Sequence, residues 1–261
     1  MKFGHNGALL FFAVSLCLAA CGTITTVCEK TGVSPGTVIF SFDDGPNAGG
    51  TTARLLDVLS RYQITAGFAL LGVNVEHSPE LARRIYYEGH LIINHGYSER
   101  WAVHLSNGEF AANLDAGEKA ISAALGTEPA SRFYRPQGGF YHECHRKIWE
   151  GRGYLLAPGT ARVHDAVLKA ADKDKMVAEI VRKIEAQGGG IILLHDALNS
   201  HVRMEKHLAK NPDSGYNRSW IPEAVEEIII ALREKGYTLN GFNVAEALSA
   251  SYGRALAWRR P

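Results

Sequence analysis

The sequence predicts an α/β fold: a distorted, incomplete (β/α) barrel of about seven units, forming a single domain. Three observations carry that expectation. Apolar, β-branched runs alternate with stretches of helical periodicity along most of the 261 residues, and such alternation implies a parallel sheet. The number of units falls short of the regular eight for a domain of this size. Ionisable residues stand at the C-terminal ends of four different apolar runs, where parallel α/β folds keep their chemistry. A doubly wound sheet is the other architecture that the alternation allows.

The elements follow in order. Strands are predicted over 38–42, 66–71, 91–94, 132–134, 154–157, 191–194 and 237–242, each a short β-branched or aromatic run bounded by turn residues. Helices are predicted over 52–62, where Leu55, Leu56 and Leu59 share a face, and over 79–88, where Ser78 is placed to cap and Pro79 to start. Further helices are predicted over 109–125, 173–186 and 222–235, the last turning Ile228, Ile229 and Leu232 inward. Gly89, Gly126, Gly153 and Gly236 fall where helices should stop. No internal repeat stands out. A hydrophobic content of 46% suffices for a sizeable core. A net charge of +1, from 28 basic and 27 acidic residues, argues against nucleic acid as a partner bound through a broad cationic face.

Residues 1–20 read as an export signal outside the fold. Lys2 precedes the apolar stretch Ala8-Leu9-Leu10-Phe11-Phe12-Ala13-Val14-Ser15-Leu16, which leads to the small residues before Cys21. Leu18-Ala19-Ala20-Cys21 resembles a bacterial lipobox, so cleavage before Cys21 and its lipidation are expected. That makes the mature protein an extracytoplasmic, membrane-anchored lipoprotein, with a tether over 21–36, a folded domain over 37–250 and a tail over 251–261. Cys28 and Cys144 remain; they either pair or stand as separate thiols.

The most informative local feature is Val38-Ile39-Phe40-Ser41-Phe42 running into Asp43-Asp44-Gly45-Pro46. Successive strand side chains point opposite ways, so neighbouring Asp residues share a site only where the strand ends and the backbone swivels. One carboxylate can then hold a metal while the other handles protons. His95, Arg135 and His195 stand at three further strand ends.

With these residues in place the chain resembles the polysaccharide deacetylase family, the NodB-homology carbohydrate esterases, from about Val38 to about Leu248. Ser41-Phe42-Asp43-Asp44-Gly45-Pro46 matches that family's first motif and Gly89-His90-Leu91-Ile92-Ile93-Asn94-His95 the approach to its second. Phe133-Tyr134-Arg135-Pro136 matches the start of the third, and Ile191-Ile192-Leu193-Leu194-His195-Asp196 the fifth. The resemblance implies metal-assisted hydrolysis of N-acetyl groups on an acetylated polysaccharide, or of O-acetyl groups on other glycans. It implies Asp43 as general base and Asp44 with His95 as ligands of a divalent metal, most often Zn²⁺. It further implies Arg135 as the partner of Asp43, His195 as general acid, and a backbone N–H after Arg135 as oxyanion donor.

The departures from the pattern are as informative. Glu99 stands where the family carries a second metal-binding His; it either ligates through its carboxylate or is a solvated loop residue beside Arg100. His104 supplies the imidazole instead if the loop carries an insertion. Gly138 stands where an aromatic is usual and still offers its N–H; Phe140 or Tyr141 is then expected to fill the vacated wall. Asp165 is the match for the Asp that tunes the acid His, with Ala166 replacing the usual Trp. A catalytically weakened glycan-binding relative and an O-acetyl esterase are the functional alternatives.

Other polar clusters read more simply. His90 and His95 are an odd number apart, so only His95 faces the rim, and His90 is expected to pack. His142-Glu143-Cys144-His145 reads as a helix start rather than a ligand set. The long segment 197–219 carries Arg203, Lys206, Lys210 and Arg218, with Tyr216, His201 and His207 as ring contacts. It is expected to lie beside the site, either contacting an extended or anionic glycan or forming a solvated insertion with a helical middle.

Overall fold

The computed structural model describes residues 24–26, 33–129 and 132–239. The chain opens with β1 (Ile24–Thr26) and β2 (Val38–Asp43), then α1 (Thr51–Arg61) and β3 (Ala66–Leu70). Next come α2 (Gly72–His77), α3 (Pro79–Tyr87), β4 (Leu91–Asn94) and α4 (Asn107–Leu125). After these stand β5 (Phe133–Tyr134), β6 (Phe140–His142), α5 (Glu143–Gly151), β7 (Leu155–Leu156) and β8 (Ala161–Arg162). α6 (Lys173–Gln187), β9 (Gly190–His195), α7 (His201–Leu208) and α8 (Ile221–Glu234) complete it.

Seven strands pair in the order β7-β5-β4-β3-β2-β9-β8, every neighbour parallel. They form a curled half-barrel with helices around it, the distorted, incomplete (β/α) barrel that the alternation predicts. Strand parity explains what faces where. Val38, Phe40 and Phe42 of β2 join Phe68, Ile92, Ile192 and Leu194 beneath the helices, packed on Leu55, Leu59, Ile180 and Ile228. The opposite face carries Ile39, Ala69, Ile93, Phe133, Ala157 and Ile191, a smaller cluster inside the curl. Continuing each inner row by two residues leads from Ser41 to Asp43, Ile93 to His95, Phe133 to Arg135 and Leu193 to His195. Parity therefore delivers all four ionisable groups to the inner rim.

Local signals place the helices. Ser106 caps α4 by accepting the Glu109 N–H, while the Glu109 side chain reaches back to the Ser106 N–H. Gly126, with φ 73°, ends α4 in the left-handed conformation that glycine tolerates. Pro79 starts α3, and Pro222 stands in the first turn of α8.

Two expectations need correction. The predicted strand 237–242 contributes only a parallel bridge from Thr238 to Thr37 among the described residues, and the rest lies outside them. Among the described residues the seventh strand of the sheet is β8, whose two residues are too few to show alternation. The stretch read as tether contains β1, which pairs antiparallel with β6. Of the two alternatives for Cys144, the disulfide-bonded one is found; the other three cysteines, Cys21 and Cys28 among them, lie outside the described residues. So do the signal segment and the tail. No helix among the described residues is long and apolar enough to cross a membrane.

Candidate active site

Asp43 and Asp44 are separated by a backbone swivel. Asp43 ends β2 and stays on the inner row, whereas Asp44 takes a left-handed φ of 71° before the cis Gly45-Pro46 bond. That turn brings the second carboxylate back over the rim. It is held there by the Asn199 N–H, 2.9 Å from Asp44 Oδ2, while the Asn74 amide donates to the Asp44 carbonyl at 2.7 Å.

Arg135 and Asp43 form a buried ion pair, with side-chain exposures of 2% and 6%. The Arg135 guanidinium donates to Asp43 Oδ1, to Ser41 Oγ at 2.8 Å, and to the carbonyls of Ala157 at 3.2 Å and Pro158 at 2.9 Å. Four acceptors, engaging all three nitrogens, leave this fork one orientation, and the carboxylate is aimed with it.

The His95 ring has Nδ1 2.7 Å from the Arg135 carbonyl. A carbonyl only accepts, so Nδ1 carries a proton and Nε2 is the ring nitrogen turned to the rim. That Nε2 lies 3.3 Å from Asp44 Oδ1. Burial pushes the Asp44 carboxyl upward, but His95, His195 and the Asn199 N–H outweigh it and hold the group below its ordinary range. An imidazole nitrogen beside an ionised carboxylate fits two corners of a divalent-cation site.

The third corner is not formed. Glu99 is half-buried, and its carboxylate accepts the Ser200 hydroxyl at 3.1 Å. Among the described residues no three His, Cys, Asp or Glu side chains converge at metal-binding distances. His104 does not replace it: its ring stacks on Trp101, 6.0 Å between centroids. Gln137, a residue the motif comparison passes over, ties this loop to the site, donating to the carbonyls of His95 and, at 2.5 Å, of Ser98. Its only signal in the sequence is an amide directly after Arg135-Pro136.

On the opposite side, His195 Nδ1 lies 2.9 Å from Asp165 Oδ1, and the His195 N–H donates to Asp165 Oδ2 at 2.9 Å. Asp165 is 1% exposed. Burial drives its carboxyl up, yet His195 and Arg218 bring it net below its ordinary value. Burial also works against charge on His195, but Asp165, Asp44 and Asp43 prevail and raise it to about 9. The imidazolium is therefore the resting form near neutrality. Asp165, the residue matched to the tuning Asp, thus lies directly against the His195 ring.

Gly138 sits in a one-turn helix with φ 73°. A Cβ there would lie 2.8 Å from the Trp101 ring. Trp101 therefore occupies the space that an aromatic at 138 would take, and it does so from the preceding loop. Neither Phe140 nor Tyr141 does this: Phe140 is exposed and Tyr141 packs against Trp149 in the core.

Asp196 is fully buried below the Asp43-Asp44 turn. Its Oδ2 accepts the Thr52 hydroxyl, and its carboxylate presses on Gly45 so closely that a Cβ there would lie 2.6 Å away. Burial raises this carboxyl to about 7. The folded state then binds more protons than the unfolded chain between pH 3.8 and about 7, so this group's contribution to stability declines as pH rises through that window. Asp196→Asn is expected to raise stability at pH 8.5 on the order of 2–4 kcal/mol, with no gain near pH 3. Urea unfolding at the two pH values checks this.

The remaining clusters behave as packing. His90 Nδ1 accepts the Ala66 N–H at 3.1 Å, and burial lowers the ring to about 4. His145 stacks on Phe110 at 4.3 Å in the core. In the segment 197–219, Arg203, Lys206 and Lys210 are exposed, but Arg218 is buried and turned to Asp165. His207 and Tyr216 stack on each other at 4.1 Å. Between α7 and the turn 46–51 lies a cavity of about 240 Å³, lined by Asn47, Asn74, Met204, Leu208 and Tyr216 among others. It adjoins the rim without including Asp43, His95 or His195 in its wall.

Comparison with known proteins places the fold in a family. A family model described as polysaccharide deacetylase matches residues 30–157, which hold the first three strand ends. The chain is 40% identical over 179 residues to a chitooligosaccharide deacetylase of Rhizobium leguminosarum bv. trifolii, covering 64% of this chain and 75% of that protein. It is 28% identical over 173 residues to a peptidoglycan-N-acetylglucosamine deacetylase of Bacillus cereus, covering 66% and 78%. The solved structure of peptidoglycan deacetylase PdaC from Bacillus subtilis superposes with a TM-score of 0.61 at 26% identity, over 86% of this chain and 98% of that one. On the family match, these relatives and the shared half-barrel, the chain belongs to the polysaccharide deacetylase family.

Proposed function

We propose that this protein is a metal-dependent hydrolase removing N-acetyl groups from amino-sugar residues of a cell-envelope polysaccharide, peptidoglycan- or chitin-like. The observation that carries the proposal is the meeting on one rim of Asp43 with Arg135, Asp44 with His95, and His195 with Asp165. Asp44 and His95 would hold a divalent cation, Zn²⁺ by donor type, and Glu99 would join them only on leaving Ser200. Such a cation acidifies water and polarises a carbonyl.

The protein's own groups account for the proton movements. Asp43 takes a proton from the attacking water, aimed by its ion pair with Arg135. His195 gives its Nε2 proton to the amide nitrogen as the C–N bond breaks, so acetate and free amine leave together. Asp165 keeps the His195 Nδ1 proton in place meanwhile. The backbone N–H of Gly138 serves as a donor to the developing oxyanion. The export signal and Cys21 support a lipid-anchored, extracytoplasmic location.

The Glu99–Ser200 contact favours one second reading, a glycan-binding relative with weakened metal chemistry. One experiment separates them: load the protein with zinc, dialyse, then measure bound metal and acetate release on acetylated chito-oligosaccharides and peptidoglycan fragments. Stoichiometric metal with acetate release supports the deacetylase. Metal-free protein that binds glycan supports the second reading. Bound metal without acetate release points to O-acetyl esters. Asp44→Asn is expected to lose the metal, its content falling well below stoichiometric after dialysis.

A further inference from the structure

Arg218 lies outside every motif, at the far end of the segment between β9 and α8. Its surroundings are those of a buried structural cation with functional neighbours. It is 1% exposed, and its guanidinium lies over the Trp220 ring, 5.1 Å from the centroid. Nε donates to the His195 carbonyl at 3.2 Å. Nη1 donates to the carbonyls of Asp165 at 2.9 Å and Gly215 at 3.3 Å, and Nη2 donates to Asp165 Oδ2. One guanidinium thus grips both the backbone and the carboxylate of Asp165, and the backbone of the residue that Asp165 orients.

The terminal torsion of an Asp side chain is broad and two-fold, so a carboxylate with a single partner swings. Here Oδ2 is pinned by Arg218 and by the His195 N–H, which leaves Oδ1 facing the His195 ring at 2.9 Å. We propose that Arg218 is a positioning residue for His195, locking the Asp165 carboxylate in the rotation that keeps the ring proton on Nδ1 and presents Nε2 to the leaving group. This rests on His195 acting as the general acid under the function proposed above. A lysine keeps the charge but, as a point donor on a flexible stem, does not reproduce a planar fork spanning four acceptors on three residues.

The test compares Arg218→Met and Arg218→Lys with the parent as full-length, zinc-loaded proteins. It measures acetate release from acetylated chito-oligosaccharides and the ¹⁵N NMR signal of the His195 Nδ1–H, assigned by its loss in His195→Gln. Both variants are expected to lose about 10–100-fold in kcat with KM within about twofold, and to shift or broaden the Nδ1–H signal. A folded Met variant with parental kcat and an unchanged signal overturns the proposal. Should the Met variant not fold, the Lys variant decides: parental kcat and signal there mean that charge alone suffices and the fork does not position His195. Should the parent release no acetate, the deacetylase reading fails by itself. The NMR signal then judges Arg218: unchanged in the variants it rejects the role, and altered it retains it.

Discussion

Asp43→Asn is expected to reduce acetate release about 10²–10⁴-fold or more while zinc stays bound, because it removes the proton acceptor and leaves Asp44 and His95 in place. The same change should be costly to the fold. Arg135 is 2% exposed, and Asp43 is its carboxylate partner. Breaking one side of a buried ion pair costs about 3–5 kcal/mol, since the surviving charge stays desolvated. Asn still offers an amide oxygen to the guanidinium, which places the expected loss at the lower end of that range. Urea unfolding and a metal assay on the same preparation separate the two effects. Residual turnover near the parental rate would remove Asp43 from the role of base.

Asp165→Asn should give the larger stability loss, about 3–5 kcal/mol, because two cations share that carboxylate and both side chains of the Asp165–Arg218 pair are almost fully buried. It also changes the pH behaviour. His195 is raised to about 9 by its acidic neighbours, Asp165 foremost. A His raised in the folded state contributes stability that is complete below its unfolded pKa of 6.5 and is lost as pH rises through about 9. The parent should therefore lose stability between about pH 6.5 and 9, and Asp165→Asn should flatten that limb. Acetate release should show the same dependence, its alkaline limb moving to lower pH in the variant. A slope in unfolding free energy that is identical in the two proteins would mean that Asp165 does not set the His195 charge.

Much of this site is legible in the sequence, for a definite reason. Asp43, His95, Arg135 and His195 sit at the ends of apolar runs, and the period of two fixes which face they extend. The same rule sends His90 to the core, where it is found against Phe68. What the sequence hides comes from long-range contact. Trp101 lies over Gly138 from a loop 37 positions earlier, and no local pattern joins them. Arg218 reads as a surface cation among three others, because burial of a guanidinium depends on an acceptor cage assembled from Asp165, His195 and Gly215. Glu99 is drawn to Ser200, a residue 101 positions away, so its choice between metal and loop was not in its neighbours. Strand β8 was missed because two residues carry no periodicity, and α2 because a six-residue helix opening on glycine shows none either.

The left-handed backbone of Asp44 has a consequence for how such sites decay over generations. With φ at 71°, this position accepts Gly, Asn or Asp far more readily than other residues, whatever its side chain is asked to do. A lineage released from selection for metal would still be held to that short alphabet by the turn alone. Asp43 is under no such backbone constraint and drifts as soon as its proton chemistry is no longer needed, limited only by the charge of Arg135. In a collection of relatives, then, an acidic residue at the second position of the pair is weak testimony to living chemistry. The first position, together with its arginine, is the better witness.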